Sequence, residues 1–215
     1  MAPNEFAVPG ILHQIVGPNT NELIDKCIAS WKVLQPLGFT ITIWNDESLE
    51  EFISTNYPFA LEAFLDARNH AEASDIARYL LVHHTGGYYM DWDIELLHID
   101  RFIELIQKTE TGFLLQDPAN LTLASEAFSA GRHEPYLLSL VKDIVDLYNR
   151  GQRDSMGTPQ YSGPFRMRDS LLTSGTRQSL VPIKEAFLYD YTEIRIKPEP
   201  PVQRPMIHYW LHTWL

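Results

Sequence analysis

The sequence predicts an α/β fold in which helices flank a central, mainly parallel β-sheet. Segments rich in β-branched and aromatic residues alternate along the chain with segments whose apolar residues recur at helical spacing. Such alternation is typical of strand–helix–strand units, whose strands run in parallel. No internal repeat and no low-complexity tract interrupts it. Ligands bind to folds of this class at the carboxyl ends of the strands, so the candidate functional residues are expected there.

The first part of the chain shows this alternation clearly. Residues 11–16 predict a buried strand, and residues 39–44, in which β-branched residues alternate, predict a second strand. An apolar stripe at helical spacing predicts a helix over residues 21–35. An asparagine at the start of the segment 45–54 is expected to cap a second helix, and a further short helix is expected over residues 58–67.

The rest of the chain continues the pattern. Asp75 lies in a predicted amphipathic helix. The pair Gly86-Gly87 separates this helix from a short apolar strand that is expected to continue through Asp93. Beyond this strand the pattern predicts strands over residues 113–115 and 124–129, helices over 135–149 and 165–172, a polar loop over 151–163, and short strands after residue 181.

Composition and charge indicate an ordinary globular protein. The 215 residues suit one domain over residues 1–215, with 45% hydrophobic and 21% charged residues. The net charge of −11 argues against a nucleic-acid partner and against attachment to anionic lipid by charge. The single cysteine, Cys27, cannot form an internal disulfide. Oligomeric state is not indicated by the sequence.

Targeting features favour a cytoplasmic location. No apolar run has the length of a membrane span, and the N-terminus lacks the basic and apolar segments of a signal peptide. The sequon Asn120-Leu121-Thr122 points the other way, because it is an acceptor sequence for N-glycosylation. A lumenal domain trimmed of a membrane anchor is therefore the alternative.

The most informative motif is the segment Gly86-Gly87-Tyr88-Tyr89-Met90-Asp91-Trp92-Asp93. Two residues is the repeat of a β-strand, so Asp91 and Asp93 are expected to leave the same face of the predicted strand. Paired carboxylates suit Mg²⁺ or Mn²⁺, which also take phosphate oxygens as ligands. Acidic pairs are common on solvated strand ends, however, so the pair alone is weak evidence.

A second polar pair precedes this motif. Asp75 and Arg78 lie three residues apart and share a face of their predicted helix. They could form a surface ion pair worth a few tenths of a kcal/mol. They could instead hold sugar hydroxyls beside a metal ion.

Together the two motifs resemble a known family. The pattern Ala73-Ser74-Asp75-x-x-Arg78, followed by Gly86-Gly87-x-Tyr89-x-Asp91-x-Asp93, is similar to the core signature of glycosyltransferase family 32. This group includes yeast-type mannosyltransferases and bacterial capsule enzymes, and the same arrangement occurs in clostridial glucosylating toxins. The resemblance implies a GT-A-like fold and transfer of a hexose, with retention, from a nucleotide-diphosphate sugar to a glycan or other hydroxyl acceptor.

The resemblance also implies roles for individual residues. Asp75, Arg78, Asp91 and Asp93 would be catalytic, with Asp91 and Asp93 binding Mn²⁺ or Mg²⁺. The donor-binding residues would be Asp75 and Arg78 together with His13, Gln14, Val16, Tyr89, Trp92 and Trp214. Val16 departs from the family, which often has an aromatic residue there to stack on the donor base.

The C-terminal segment Ile207-His208-Tyr209-Trp210-Leu211-His212-Thr213-Trp214-Leu215 resembles the family's ending, which closes over the diphosphate. By this resemblance His208 would be a third metal ligand and Trp214 would lie near the leaving diphosphate. An imidazole is a reasonable Mn²⁺ ligand beside carboxylates. A plain apolar strand with a satisfied histidine is the alternative interpretation.

Two smaller features of the sequence each have two interpretations. Glu126 could face the acceptor or could be a solvated strand residue, and Ser162-Gly163-Pro164 could face phosphate or simply start a helix.

One alternative function is that of a phosphatase of the haloacid-dehalogenase type. Such enzymes also carry Asp-x-Asp after a strand, but this chain has Glu95 where they usually have Thr or Val. A non-catalytic binder of nucleotide sugars or glycans is the other alternative.

Overall fold

The computed structural model of the chain describes residues 6–200 and 202–211. Its strands are β1 (Ile11–Ile15), β2 (Thr40–Trp44), β3 (Gly87–Met90), β4 (Ile94–Leu96), β5 (Gly112–Asp117), β6 (Thr122–Ala130), β7 (Ser179–Pro182) and β8 (Met206–His208). Its α-helices are α1 (Glu22–Ser30), α2 (Asp46–Asn56), α3 (Leu61–Leu65), α4 (His70–Thr85), α5 (Ile99–Lys108), α6 (Pro135–Asn149), α7 (Thr158–Tyr161), α8 (Pro164–Ser174), α9 (Ile183–Ala186) and α10 (Glu193–Ile196). Short 3₁₀ helices span Trp31–Leu37, Pro58–Ala60 and Arg153–Ser155.

A six-stranded sheet forms the centre of the described part of the chain. The strand order is β2-β1-β3-β6-β5-β7. The β1–β2, β1–β3 and β5–β7 pairs are parallel, whereas β6 is antiparallel to both of its neighbours. Five strands therefore run in one direction and β6 runs in the other, which confirms the predicted α/β class with a mainly parallel sheet.

Both faces of the sheet are covered. On one face the side chains of α2, α4, α6 and α8 form a core with residues such as Tyr89 of β3. On the other face Tyr88 joins a second core that contains Trp31 and Phe102. Adjacent residues of β3 thus enter opposite cores, as the two-residue repeat of a strand requires.

The connection from α4 to β3 is shaped by its glycines. The side chain of Asn69 caps the start of α4 by accepting a hydrogen bond from Glu72 N. Gly87 has φ of +112°, and a Cβ there would lie 2.3 Å from Ile11 O. Only glycine allows β3 to approach β1 this closely. The consequence is that α4 and the residues after β3 are brought to the same side of the molecule.

A small antiparallel ribbon of β4 and β8 lies beside the main sheet. Ile94 pairs with His208, Glu95 with Ile207 and Leu96 with Met206. The ribbon brings a residue near the end of the chain next to the segment that follows β3. His208 and Asp93 therefore become neighbours although 115 positions separate them in the sequence.

Several sequence predictions need correction. The predicted helix 21–35 ends at Ser30 and continues as a 3₁₀ helix, which contains Pro36. The predicted loop 151–163 contains α7 and a 3₁₀ helix. Helix α5 was missed, although Phe102 and Leu105 are buried on one side of it at helical spacing.

The strand predicted to continue through Asp93 is also wrong. Strand β3 ends at Met90, and residues 91–93 form a turn that leads into β4. Two hydrogen bonds hold this turn: Asp91 N donates to Glu126 O (2.9 Å), and Ile94 N donates to Asp91 O (3.1 Å). The two carboxylates are therefore neighbours because of the turn and not because of a strand repeat.

Candidate active site

A cavity of about 360 Å³ opens beside the turn after β3. Charged side chains that line it form what we call the polar wall: Asp75, Arg78, Asp91, Asp93, Glu126 and His208. Apolar and aromatic side chains form what we call the aromatic wall: Pro164, Phe165, Ile183, Tyr191 and Trp210. The cavity lies at the carboxyl end of β3, where the α/β fold predicts a ligand site.

Asp91, Asp93 and His208 form a compact cluster. One possible ligand atom from each residue lies within 4.8 Å of the others. Nε2 of His208 is 3.2 Å from Oδ1 of Asp93, and its Nδ1 is 3.7 Å from Oε1 of Glu126. Oδ2 of Asp93 accepts a hydrogen bond from Leu211 N at 2.9 Å. The C-terminal segment thus brings His208 beside Asp93, and the role of His208 as a metal ligand stays a prediction.

The cluster is electrostatically coupled. Burial opposes the charge on His208, but the carboxylates of Asp93 and Glu126 prevail and raise its pKa to about 10. Burial would raise the pKa of Asp93, but His208 and the Leu211 N–H hold it below its ordinary value. Burial raises the pKa of Asp91, against the opposing effect of Arg78. Without an ion, therefore, a protonated His208 balances the charge of Asp93.

The donor atoms in this cluster fit a divalent metal ion. Two carboxylates and one imidazole are suitable ligands for Mn²⁺ and Mg²⁺, with Mn²⁺ the more tolerant of nitrogen. Nδ1 of His208 is buried and has no hydrogen-bond partner among the described residues. His208 is held instead by Asp93 on one side and by the ring of Trp210 on the other, with ring centroids 4.2 Å apart.

Asp75 lies on α4 and is 4% exposed. Oγ of Ser162 donates a hydrogen bond to its Oδ2 at 2.7 Å. Burial raises the pKa of Asp75 to about 6, although Arg78 and Ser162 act in the opposite direction. At neutral pH the carboxylate is therefore mainly charged and able to accept hydrogen bonds from a ligand in the cavity.

Arg78 connects the two acidic motifs. Its Nη1 lies 3.3 Å from Oδ1 of Asp91, and its Nε lies 3.6 Å from Oδ1 of Asp75. The guanidinium also donates to the backbone oxygens of Ser74 (3.1 Å) and Ser125 (2.8 Å). Since Arg78 is only 5% exposed, the Asp75–Arg78 pair is a buried ion pair, and the interpretation as a surface ion pair is wrong.

Tyr89 and Trp92 occupy different places. Tyr89 is buried, its hydroxyl donates to Oδ1 of Asp91 at 2.7 Å, and Arg78 lies over its ring at 4.7 Å. Tyr89 therefore supports the polar wall from behind and does not line the cavity, whereas Trp92 does. Trp214 lies outside the described residues, so its predicted contact with the diphosphate stays a prediction.

The residues predicted from the first strand lie behind the site. His13 is buried, and Nδ1 accepts a hydrogen bond from Trp44 Nε1 at 3.2 Å while Nε2 lies 3.1 Å from Gly86 O. Gln14 is fully buried, and its amide atoms have no partner among the described residues. Val16 is partly buried and hydrogen-bonds through its backbone to Trp44 O. None of the three lines the cavity, and their role in donor binding stays a prediction.

The aromatic wall was not predicted from the sequence. Phe165 is the second residue of α8, Ile183 begins α9, Tyr191 lies between α9 and α10, and Trp210 follows β8. These residues share no local spacing. The density of histidine and tryptophan around Trp210 and the Gly163-Pro164 helix entry were the available signals, and neither indicates which side chains meet.

Comparison with known proteins identifies part of the chain. Residues 21–108 match a family model described as a glycosyltransferase sugar-binding region containing a DXD motif. The chain carries a glycosyltransferase DXD region. This region contains Asp75, Arg78, Asp91 and Asp93, and it confirms the resemblance predicted from the sequence.

Relatives support the same assignment. Inositol phosphoceramide mannosyltransferase 3 of Schizosaccharomyces pombe is 28% identical over 140 residues, which are 64% of this chain and 37% of that protein. Mannosyl phosphorylinositol ceramide synthase CSH1 of Saccharomyces cerevisiae is 24% identical over 139 residues, which are 64% of this chain and 35% of that protein. The chain thus matches well under half the length of these two relatives.

Solved structures share the fold. PaToxG Glycosyltransferase gives a TM-score of 0.59 at 16% identity, over 80% of this chain and 72% of that chain. The apo-form glycosyltransferase GlyE of Streptococcus pneumoniae TIGR4 gives 0.54 at 14% identity, over 94% of this chain and 54% of that chain. The predicted GT-A-like fold is confirmed by these likenesses.

The length and hydropathy of the helices bear on membrane insertion. In the parts of the chain that the structure describes, no helix combines the length and the apolar character that crossing a membrane requires. The predicted cytoplasmic location stays a prediction.

Proposed function

We propose that the chain is the catalytic region of a metal-dependent glycosyltransferase, which moves a hexose from a nucleotide-diphosphate sugar to a hydroxyl acceptor. The observation that carries this proposal is the cluster of Asp91, Asp93 and His208 in one cavity with the buried Asp75–Arg78 pair. The family match over residues 21–108 supports it, since that region is named for sugar binding.

Three residues would hold the metal ion. Asp91, Asp93 and His208 would bind Mn²⁺ or Mg²⁺, which when bound supplies Lewis-acid stabilisation of the charge on the leaving diphosphate. A ligating imidazole is neutral, so His208 has to release its proton when it becomes a ligand. Tyr89 and Arg78 each contact Oδ1 of Asp91, so the position of this carboxylate is fixed before any substrate binds.

Asp75 and Arg78 would orient the donor sugar. Ser162 donates to Oδ2 of Asp75 and Arg78 faces Oδ1, and the remaining lone pairs of the carboxylate would accept a hydrogen bond from a sugar hydroxyl. Retention of anomeric configuration is proposed from the family resemblance. We assign no carboxylate nucleophile. In a front-face reaction the departing phosphate accepts the proton of the acceptor, and the protein contributes by orienting the two substrates and excluding water.

Mannose is the first donor sugar to test, because one relative named above is a mannosyltransferase by name and the other is named for a mannosyl product. A glycan, a glycolipid headgroup and a simple alkyl glycoside represent the acceptor classes. The aromatic wall supports an acceptor with an apolar sugar face, since rings pack well against such faces.

A donor screen tests the proposal directly. The chain is incubated with a set of nucleotide-diphosphate sugars, the acceptor set and Mn²⁺, and both free diphosphate and glycosylated product are measured. Product formation that EDTA abolishes is the expected result. Binding of a nucleotide sugar without turnover would favour the non-catalytic binder, and release of phosphate from simple phosphomonoesters would favour the phosphatase. Either of those results would overturn the proposal.

A further inference from the structure

The residues after β8 wrap around Asp93. Tyr209 N donates a hydrogen bond to Asp93 O at 3.1 Å, and Leu211 N donates to Asp93 Oδ2 at 2.9 Å. Between them, Trp210 has φ of +46°, which is in the left-handed region that an aromatic residue rarely adopts. Such a backbone persists only where surrounding contacts hold it in place. The contacts that hold this turn therefore bear on the metal cluster.

One contact that holds the turn lies on the far side of the ribbon. The hydroxyl of Tyr209 donates to Oε2 of Glu95 at 2.7 Å. Glu95 lies on β4, is 8% exposed, and is also held by Nζ of Lys26 on α1 at 2.9 Å. Glu95 does not line the cavity, so this carboxylate has no direct role at the reacting atoms.

The hydrogen bond is placed to control two cavity residues at once. His208 immediately precedes Tyr209, and Trp210 immediately follows it. His208 contacts Asp93 and Glu126, while the ring of Trp210 stacks on the imidazole and also contacts the ring of Phe187. A displacement of Tyr209 would therefore move a metal ligand and part of the aromatic wall together.

We propose that Glu95 and Tyr209 are positioning residues for the metal site: their hydrogen bond fixes residues 208–211 against Asp93 and so sets the place of His208. This inference rests on the proposed function, since it concerns the same ion. The two residues form an anchor outside the cavity. Tyr209 also lies outside the matched segment 21–108. Residues that orient metal ligands from a second layer typically change metal affinity 10- to 100-fold when they are altered.

The competing explanation is that the hydrogen bond between Tyr209 and Glu95 only stabilises the fold. The ribbon already has three paired positions, and Phe187 forms a further bridge with Met206. The fold therefore has other contacts that hold β8 in place. Removal of one hydroxyl should leave the ribbon folded and change mainly the segment after it.

The test is Tyr209→Phe, with equilibrium Mn²⁺ binding measured by calorimetry in the absence of donor. We expect Mn²⁺ affinity to fall about tenfold, at the lower end of the range for residues that orient ligands. The matched control is Tyr189→Phe. Tyr189 is buried in the small cluster against which Tyr209 packs, and its hydroxyl donates to Pro198 O at 3.0 Å and not to Glu95. The control should bind Mn²⁺ like the wild type.

A second pair of variants separates positioning from packing. Glu95→Gln keeps an oxygen that accepts from Tyr209 and should retain nearly the wild-type affinity, whereas Glu95→Leu should lose about as much as Tyr209→Phe. Wild-type Mn²⁺ affinity in both Tyr209→Phe and Glu95→Leu would overturn this inference and leave the proposed function standing. If the wild-type protein itself binds no Mn²⁺, the metal-dependent function fails and this inference fails with it.

Discussion

The two walls of the cavity are built in different ways. On the polar wall, each acidic motif is fixed by several partners: Arg78 contacts Asp75 and Asp91, Ser162 holds Asp75, and Leu211 N holds Asp93. On the aromatic wall, Phe165 is partly buried and Tyr191 is exposed, and both line the cavity.

The difference indicates a division of roles. Charged groups in a buried network keep their positions, and such preorganisation is what stabilises charge that develops during a reaction. Ring surfaces can accommodate related ligands through nondirectional contacts. We therefore expect changes in the polar wall to reduce the rate of reaction and changes in the aromatic wall to alter acceptor use.

The largest effect is expected for Asp93→Asn and Asp91→Asn. Each change removes one carboxylate charge from the proposed metal cluster. We expect turnover to fall roughly ten- to thousand-fold, which corresponds to a loss of about one to four kcal/mol of transition-state stabilisation. The measurement is the initial rate of transfer at saturating Mn²⁺, with thermal melting to show that the variants are folded.

Asp100→Asn is the matched control, because Asp100 is exposed on α5 and does not line the cavity. It should keep the wild-type rate. If both cluster variants also keep near-wild-type transfer, or if EDTA does not affect the wild type, the polar wall is not a metal site.

How far the sequence predicts these two walls depends on the range of the contacts. Asp75 and Arg78 share one helix, and Asp91 and Asp93 share one turn, so their proximity follows from local spacing. For Asp91 and Asp93, however, the sequence predicted a strand repeat where the structure has a tight turn. Both geometries bring residues i and i+2 together. His208 was found only through the family resemblance, since the β4–β8 pairing that places it is long-range.

The aromatic wall and the first strand show what local patterns miss. Phe165 and Trp210 meet at one cavity through long-range contacts such as the β4–β8 pairing before Trp210, and no periodicity in the sequence encodes those contacts. His13 was assigned to the donor site only through the family resemblance. Its partners, Trp44 and Gly86, come from neighbouring elements that only the folded chain brings together.

The second prediction concerns Arg78. Arg78→Lys keeps the positive charge but loses the planar group that reaches Asp91 and Ser125 O together. We expect transfer to fall on the order of 100-fold, nearly as much as in Arg78→Ala, because Asp91 is no longer held in place. The kcat and KM values for the donor are the quantities to measure.

Arg101→Lys provides the matched comparison. Arg101 forms an exposed ion pair with Glu104 at 2.9 Å, also three residues away on one helix. This variant should change neither kcat nor melting temperature measurably, since exposed pairs contribute little. Full activity in Arg78→Lys would mean that the charge alone matters and that the buried geometry of the polar wall does not.

The third prediction concerns the aromatic wall. Phe165→Leu keeps an apolar side chain but removes the ring, and we expect the acceptor KM to rise up to about tenfold. Hydrolysis of the donor by water, measured without acceptor, should stay close to the wild-type rate. Phe59→Leu is the control, because Phe59 is an exposed ring outside the cavity. A fall in donor hydrolysis as large as the fall in transfer would contradict the separation of the two walls.

The smallest effect on activity is expected for His13→Gln. Burial lowers the pKa of His13 to about 4, so the folded protein holds this imidazole neutral. The unfolded chain binds its proton near pH 6.5. Between these values the unfolded state binds more protons, so the free energy of unfolding should decrease as the pH falls from 6.5 to about 4. His83, whose pKa burial also lowers to about 4, adds to the same trend.

His13→Gln removes one titrating group from the core behind the polar wall. We expect its unfolding free energy to depend less on pH than that of the wild type, as measured by urea denaturation at pH 7.5, 5.5 and 4.5. At pH 7.5 the variant should be destabilised by about 1–3 kcal/mol, because the hydrogen bonds to Trp44 and Gly86 are disturbed. Donor KM should change less than about twofold, since His13 does not line the cavity. A large rise in donor KM together with unchanged stability would instead show that His13 belongs to the donor site and not to the core behind the polar wall.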